Sequence, residues 1–290
     1  MDILIKLQKI DRRVIYALVI VVLMVPLLLQ PKGHPKLVTP EVHHAFDVID
    51  SVPKDKMVIL SSFWGPSTES ENGPQTAALM RHMLMKGIRF GIVSWDQAGS
   101  QITYNIGKSL EQELHRRYGV RYGVDWVHFG YKLQNEAALR GIGTDLPTTM
   151  EREKEGKLVS TLPVMRGIKD FHNIGAVVEI TASGTLEGTM TYTTQPNGLK
   201  LLYCPTAVMS VEAYRYLDSG QVKGMLNSAV GAAQYETLIG MSNVTTQASV
   251  TTWTLSTAHI FIIVLILLGN LGYFASKKAA RRQGGEASND

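Results

Sequence analysis

The chain has 290 residues, 45% of them hydrophobic and 19% charged, with a net charge of +4 at pH 7 and one cysteine, Cys204. One thiol excludes an intramolecular disulfide framework, so a domain of this length has to stand on its hydrophobic core. The basic excess lies in two short tails, residues 1–13 and 275–290, each with four Lys or Arg against two acids. It is a topology signal and argues against a nucleic-acid partner, which would want basic residues on the folded domain.

In chain order, the first element is the apolar run at residues 14–29, VIYALVIVVLMVPLLL. A bilayer core needs roughly 20 helical residues, so this slightly short run spans by borrowing Tyr16, Gln30 or snorkelling flanks. Lys6, Lys9, Arg12 and Arg13 before it also suit a signal peptide. Its Leu-Gln-Pro-Lys end lacks a small-x-small cleavage site, which favours a retained signal anchor over a cleaved one. Residues 30–38 then form a Pro/Gly linker.

Thr39, Pro40 and Glu41 read as an N-cap, an N1 proline and an acidic first turn. With Val42, Ala45, Phe46 and Ile49 at helical spacing, they predict a helix over 40–51. A strand is expected at 57–63, followed by a polar loop, 64–73. Asn72 or Gly73 then caps a helix with Pro74 at N1, a buried face of Leu79, Met80, Met83 and Leu84, and a stop at Gly87. A strand over 88–95 and a loop over 96–101 precede a helix to about 118, striped by Ile102, Ile106, Leu110 and Leu114.

A third strand is predicted at 124–129. Residues 131–170 carry Gly, Pro and a charge run with little periodicity, and read as a long exposed excursion. Further strands are expected at 174–181 and 199–203, and helices at 211–217 and 221–239. A polar tether, 242–254, leads into a second apolar run at 255–274. Near-continuous apolar strands alternating with helices predict an α/β fold, a Rossmann-like three-layer domain with a mostly parallel sheet of about five strands.

Both basic tails are placed on the cytoplasmic side by the positive-inside rule. The expected layout is a cytoplasmic tail (1–13), a first span (14–30), an extracytoplasmic domain (31–254), a second span (255–274) and a second cytoplasmic tail (275–290). The chain is thus read as a two-pass protein of the cell membrane, with the lipid bilayer as one partner. Asn243-Val244-Thr245 is a glycosylation acceptor where the host glycosylates.

Ligands of such sheets bind beyond the strand carboxyl ends. That makes Thr68, Glu69, Glu71 and Asp96 in the first two loops candidate ligand-binding residues. Ser183, Gly184 and Thr185 in TASGTLEG join them, because a helix N-terminus there could present N–H groups to an anion. No G-x-x-x-x-G-K-[ST], G-x-G-x-x-G or G-x-S-x-G pattern follows a strand, and Gly141-Ile142-Gly143 has no third glycine at the right spacing. Catalysis therefore has no assigned residue. Nor is a cofactor or metal expected: His43, His44, His115, His128 and His172 are scattered without ligand spacing, and Cys204 reads as core.

The segment GQVKGMLNSAVGAAQYETLIG places Gly224, Ser228 and Ala232 in a small-residue stripe, permitting close packing on its own domain or on a second protein. The order VTPEVHHAFDVIDSVPKDKMVILSSF, with LPVMRG and GAAQYE, resembles a group of membrane-anchored prokaryotic α/β proteins along most of the chain. That resemblance implies no particular activity. Residues 38–63 are also similar to the extracytoplasmic domains of ABC transporter auxiliary proteins. The expected function is a non-enzymatic accessory or scaffold subunit with a membrane-protein partner or a homo-oligomeric state. The alternative is a small-molecule-binding or hydrolytic ectodomain working at the strand-end loops.

Overall fold

The structure, a computed structural model, describes residues 10–286, with side chains for residues 10–277. The tail residues Lys6 and Lys9, and the side chains of Lys278, Arg281 and Arg282, lie outside the described residues. Two compact units are present. One comprises residues 32–249, the other the chain before and after them.

Helix α1, Arg12–Leu29, starts at Asp11, whose carboxylate accepts from Arg13 N at 2.8 Å. The 32–249 unit contains α2 (Pro40–Asp50), β1 (Met57–Phe63), α3 (Glu69–Lys86), β2 (Arg89–Ser94), α4 (Gln97–Tyr118) and β3 (Trp126–Tyr131). Then come α5 (Glu136–Thr144), α6 (Leu146–Met150), β4 (Ile174–Thr181), α7 (Leu186–Thr189), β5 (Leu201–Pro205), α8 (Tyr214–Asp218), β6 (Gly224–Met225) and α9 (Ser228–Leu238). Helix α10, Gln247–Glu286, closes the described chain. Residues Arg12–Leu29 and Gln247–Lys277 are each long and apolar enough to cross a membrane, with mean hydropathies of 2.3 and 2.1.

The six strands form one all-parallel sheet in the order β3-β2-β1-β4-β5-β6. This is the doubly wound, Rossmann-like order, with its switch point between β1 and β4. Alternation along each strand sends Val58, Leu60, Val178, Ile180, Leu202 and Cys204 to one face, under α2, α3, α4 and α9. It sends Met57, Ile59, Val127, Val177 and Leu201 to the other.

That second face is covered by the segment expected to be exposed. Within residues 131–170, Leu139, Ile142, Leu146, Met150, Val159 and Val164 are all buried. Short helices and 3-10 turns replace a single crossover helix, so the helical period is broken although the apolar residues point inward. The glycines of GIG are packing glycines. A Cβ on Gly141 would meet Thr149 Oγ1 at 2.2 Å, and one on Gly143 would meet Asn197 Nδ2 at 2.2 Å.

Three further expectations are corrected. The loop over 64–73 is mostly helical: a 3-10 turn, Pro66–Thr68, runs into α3, so Asn72, Gly73 and Pro74 lie inside the helix. Pro74 has no N–H to give the second turn, but Asn72 and Gln75 find partners on the strand ends and stop competing for the helix backbone. The helix over 221–239 is broken, because Gly224 belongs to a sixth strand and Ser228 turns the chain at φ 55°. A Cβ on Gly224 would stand 2.4 Å from Ala45 N, so α2 can cross this strand only over glycine. Ser228 and Ala232 are buried within the same domain.

The tether is the third. Helix α10 begins at Gln247 because Thr246 and Ser249 cap it reciprocally: Ser249 N donates to Thr246 Oγ1 at 3.1 Å and Thr246 N to Ser249 Oγ at 3.0 Å. Such a pair satisfies two donors that a helix start otherwise leaves open.

Candidate functional site at the carboxyl edge of the sheet

The loops after β1, β2, β4 and β5 share the carboxyl edge because every strand runs the same way. On the α3 face that edge is filled from within. Trp64 is buried immediately after β1. A Cβ on Gly99 would come within 1.9 Å of Trp64 O, so the turns entering α3 and α4 touch backbone to backbone.

Three of the four predicted residues of this region have structural partners. Asp96 caps α4, its Oδ1 accepting from Gly99 N at 2.6 Å. Thr68 Oγ1 donates to Gly65 O at 3.5 Å, and Glu71 Oε2 accepts from Ala207 N at 2.8 Å. Glu69 and Glu71 lie in the first turn of α3. Carboxylates thus stand at the positive ends of both helices, where an anionic ligand would need to be.

Behind them, two buried amides bind the strand ends together. Gln75 Nε2 donates to Pro205 O at 2.8 Å and to Leu226 O at 2.7 Å. Asn72 Nδ2 donates to Gln75 Oε1 at 2.9 Å and reaches Thr181 O and Cys204 O at 3.4 Å. These side chains cover the ends of β4 and β5 and the chain just after β6 on this face, beside Trp64 at the end of β1.

The opposite face carries a polar row. Ser61, Glu179 and Tyr203 face one another in register across β1, β4 and β5, in the layer just below the strand ends. Glu179 is fully buried, and its two oxygens accept from Thr185 Oγ1 at 2.5 Å and Thr189 Oγ1 at 3.0 Å. Ser61 Oγ accepts from Trp95 Nε1 at 2.8 Å. Burial pushes the Glu179 carboxyl up, against the pull of the Ser61, Thr185 and Thr189 hydroxyls. Burial also raises Tyr203, reinforced by the Glu179 and Glu212 charges. Both groups therefore hold their protons to higher pH than usual.

Above this row is a cavity of about 190 Å³, with Tyr203 at its base, Gly184 and Leu186 on one side, and Glu212, Arg215 and Tyr216 on the other. Of the predicted residues, Gly184 borders it and Thr185 holds Glu179. Ser183 bonds back to Thr181, its N–H donating to Oγ1 at 2.9 Å. Thr68, Glu69, Glu71 and Asp96 do not line this cavity. The two predicted sets share an edge and no hydrogen bond among the described residues.

Glu179, Tyr203 and Thr189 escaped sequence reasoning. One signal was present: Glu179 interrupts IGAVVEIT, where a lone charge in a doubly covered strand has to find buried partners. Tyr203 gave no signal, since tyrosine is common in strands. Among the described residues no group of three or more His, Cys, Asp or Glu could hold a metal ion.

No family model, curated protein or solved structure matches this chain.

Proposed function

We propose that this chain is a membrane-anchored accessory or scaffold protein that displays its α/β domain on the extracytoplasmic side and works as part of a membrane complex or a homo-oligomer. One observation carries the reading. On the α3 face, the crevice where a sheet of this order takes its ligand is filled by the chain's own Trp64, Asn72 and Gln75. The acids Glu69, Glu71 and Asp96 stand at the helix starts beside it. A crevice closed in this way favours a protein-facing role for this side of the sheet. Two apolar helices enclose no channel by themselves, which also favours a supporting role.

Purification of the full chain from its native membrane in mild detergent tests this. A stoichiometric second protein or a homo-oligomer is expected, and a clean monomer overturns the reading. Protease treatment of spheroplasts tests the orientation separately. Residues 32–249 should be cut without lysis, and cutting only after lysis would reverse the topology.

A further inference from the structure

The Ser61–Glu179–Tyr203 row is satisfied everywhere except at one atom. Ser61 accepts from Trp95, and Glu179 accepts from Thr185 and Thr189. Tyr203 is only 1% exposed, yet its hydroxyl makes no hydrogen bond among the described residues. The hydroxyl itself is not fully enclosed and reaches the cavity, where only water or an occupant can bond it. Tyr203 is also the member of the row that lines the cavity. Its unused donor and acceptor are therefore available to whatever enters.

The charges around the opening fix the sign of that occupant. Glu187 is already engaged, its carboxylate taking Arg215 at 3.1 Å and the Tyr216 hydroxyl. Arg215 in turn lies over the Tyr216 ring, 4.6 Å from its centroid. Glu212 makes no ion pair among the described residues, so the opening carries one uncompensated negative charge. A volume of about 190 Å³ corresponds to roughly six waters at ~30 Å³ each, well below a drug-sized pocket.

We propose that this cavity binds a small organic cation, an amine or ammonium that also bears a hydrogen-bonding oxygen. The cationic nitrogen pairs with Glu212 at the opening, and the oxygen meets the Tyr203 hydroxyl at the base. Leu186 supplies the apolar wall. The site lies on the face away from Asn72 and Gln75, so it is independent of the accessory-protein reading.

Calorimetric titration of the detergent-solubilised full chain tests the proposal, with glycinamide as the cation, acetamide as its neutral counterpart and glycolate as an anion of similar size. Glycinamide should bind saturably and more tightly than the other two. Its dissociation constant should rise about two- to fivefold in Glu212→Gln, whose carboxylate is exposed, and about tenfold in Tyr203→Phe, which loses one hydrogen bond. Glu212 is exposed, so its variant keeps the fold even if the Tyr203 variant is impaired, and circular dichroism checks both. Absence of saturable glycinamide binding, preference for glycolate, or unchanged affinity in Glu212→Gln would overturn the proposal.

Discussion

His34 and Glu236, 202 positions apart, meet side chain to side chain, with His34 Nε2 2.8 Å from Glu236 Oε2. The same carboxylate oxygen accepts from Thr246 Oγ1 at 2.5 Å. The linker after the first apolar helix and the start of the last one are thus fastened to α9 through one buried glutamate. His34 Nδ1 also lies 3.4 Å from Ser242 O.

Removal of one partner from such a buried set leaves the others unpaired, at about 2–3 kcal/mol. His34→Ala should therefore lower the melting temperature of the full chain by roughly 4–12 °C, on the scale of about 2–4 °C per kcal/mol for a domain of this size. It should also open the linker to trypsin at Lys32 and Lys36. An unchanged melt and an unchanged digestion pattern would show that the contact contributes nothing.

Gln75 makes a sharper case, because its amide serves two main-chain carbonyls at 2.8 and 2.7 Å. Gln75→Leu keeps the volume and strands Pro205 O and Leu226 O in the interior. With each of the two unsatisfied carbonyls costing about 1–3 kcal/mol, a loss of about 2–6 kcal/mol is expected in urea unfolding. Glu71→Gln, at the more exposed bond to Ala207 N, should cost less than about 1 kcal/mol in the same assay.

Glycine is required at 224 by contact and at 184 by nothing. Gly224→Ala would press a methyl against the Ala45 backbone, at 2.4 Å from N and 2.6 Å from Cα, whereas Gly184 has nothing within 4 Å. Overpacking of this kind costs about 1–3 kcal/mol. The expected result is a lower melting temperature for Gly224→Ala and no more than about 0.5 kcal/mol of change for Gly184→Ala.

Two buried groups should give the domain opposite pH slopes. His128 is held down to about 3 by burial, with the Lys154 charge adding to the effect. It accepts from Gly130 N through Nδ1 at 2.9 Å, so its proton sits on Nε2, 2.9 Å from Thr103 Oγ1. Its neutral form stabilises fully above the unfolded value of 6.5, and that stability is lost as pH falls towards about 3, by at most about 1.4 kcal/mol per pH unit. Glu179 is shifted the other way. Its folded carboxyl is raised above 4.5, so its contribution is present below 4.5 and lost as pH rises through the folded value. Glu179→Gln should therefore be more stable than the parent at pH 8, with the advantage vanishing near pH 4. Urea unfolding of Glu179→Gln across pH 4–8 leaves the His128 slope, and its difference from the parent gives the Glu179 slope. An advantage for Glu179→Gln that does not depend on pH would show that the carboxyl is not the cause.

Much of the architecture was legible locally. Met57–Phe63 and Ile174–Thr181 read directly as strands because each is a near-continuous apolar run bounded by turn chemistry. The Thr39-Pro40 start of α2 and the Gly87 stop of α3, at φ 67°, follow from capping stereochemistry. The candidate site was legible only as an edge. Asp96 and Glu71 looked like ligand groups because a sequence does not say that their partners are Gly99 N and Ala207 N.

The sequence by itself determined two apolar helices, an alternating α/β order and a core able to do without disulfides, because these depend on composition and short-range periodicity. The tertiary structure alone decided that residues 131–170 cover a sheet face and that Gly224 forms a sixth strand. It alone showed that the α3 crevice is filled, and that the unpaired Tyr203 hydroxyl faces a cavity. Each of these rests on a contact between residues far apart in the chain, such as Gly224 on Ala45 or Gln75 on Leu226. Such contacts leave no periodic trace, since what fixes them is the steric and hydrogen-bonding fit of one element against another.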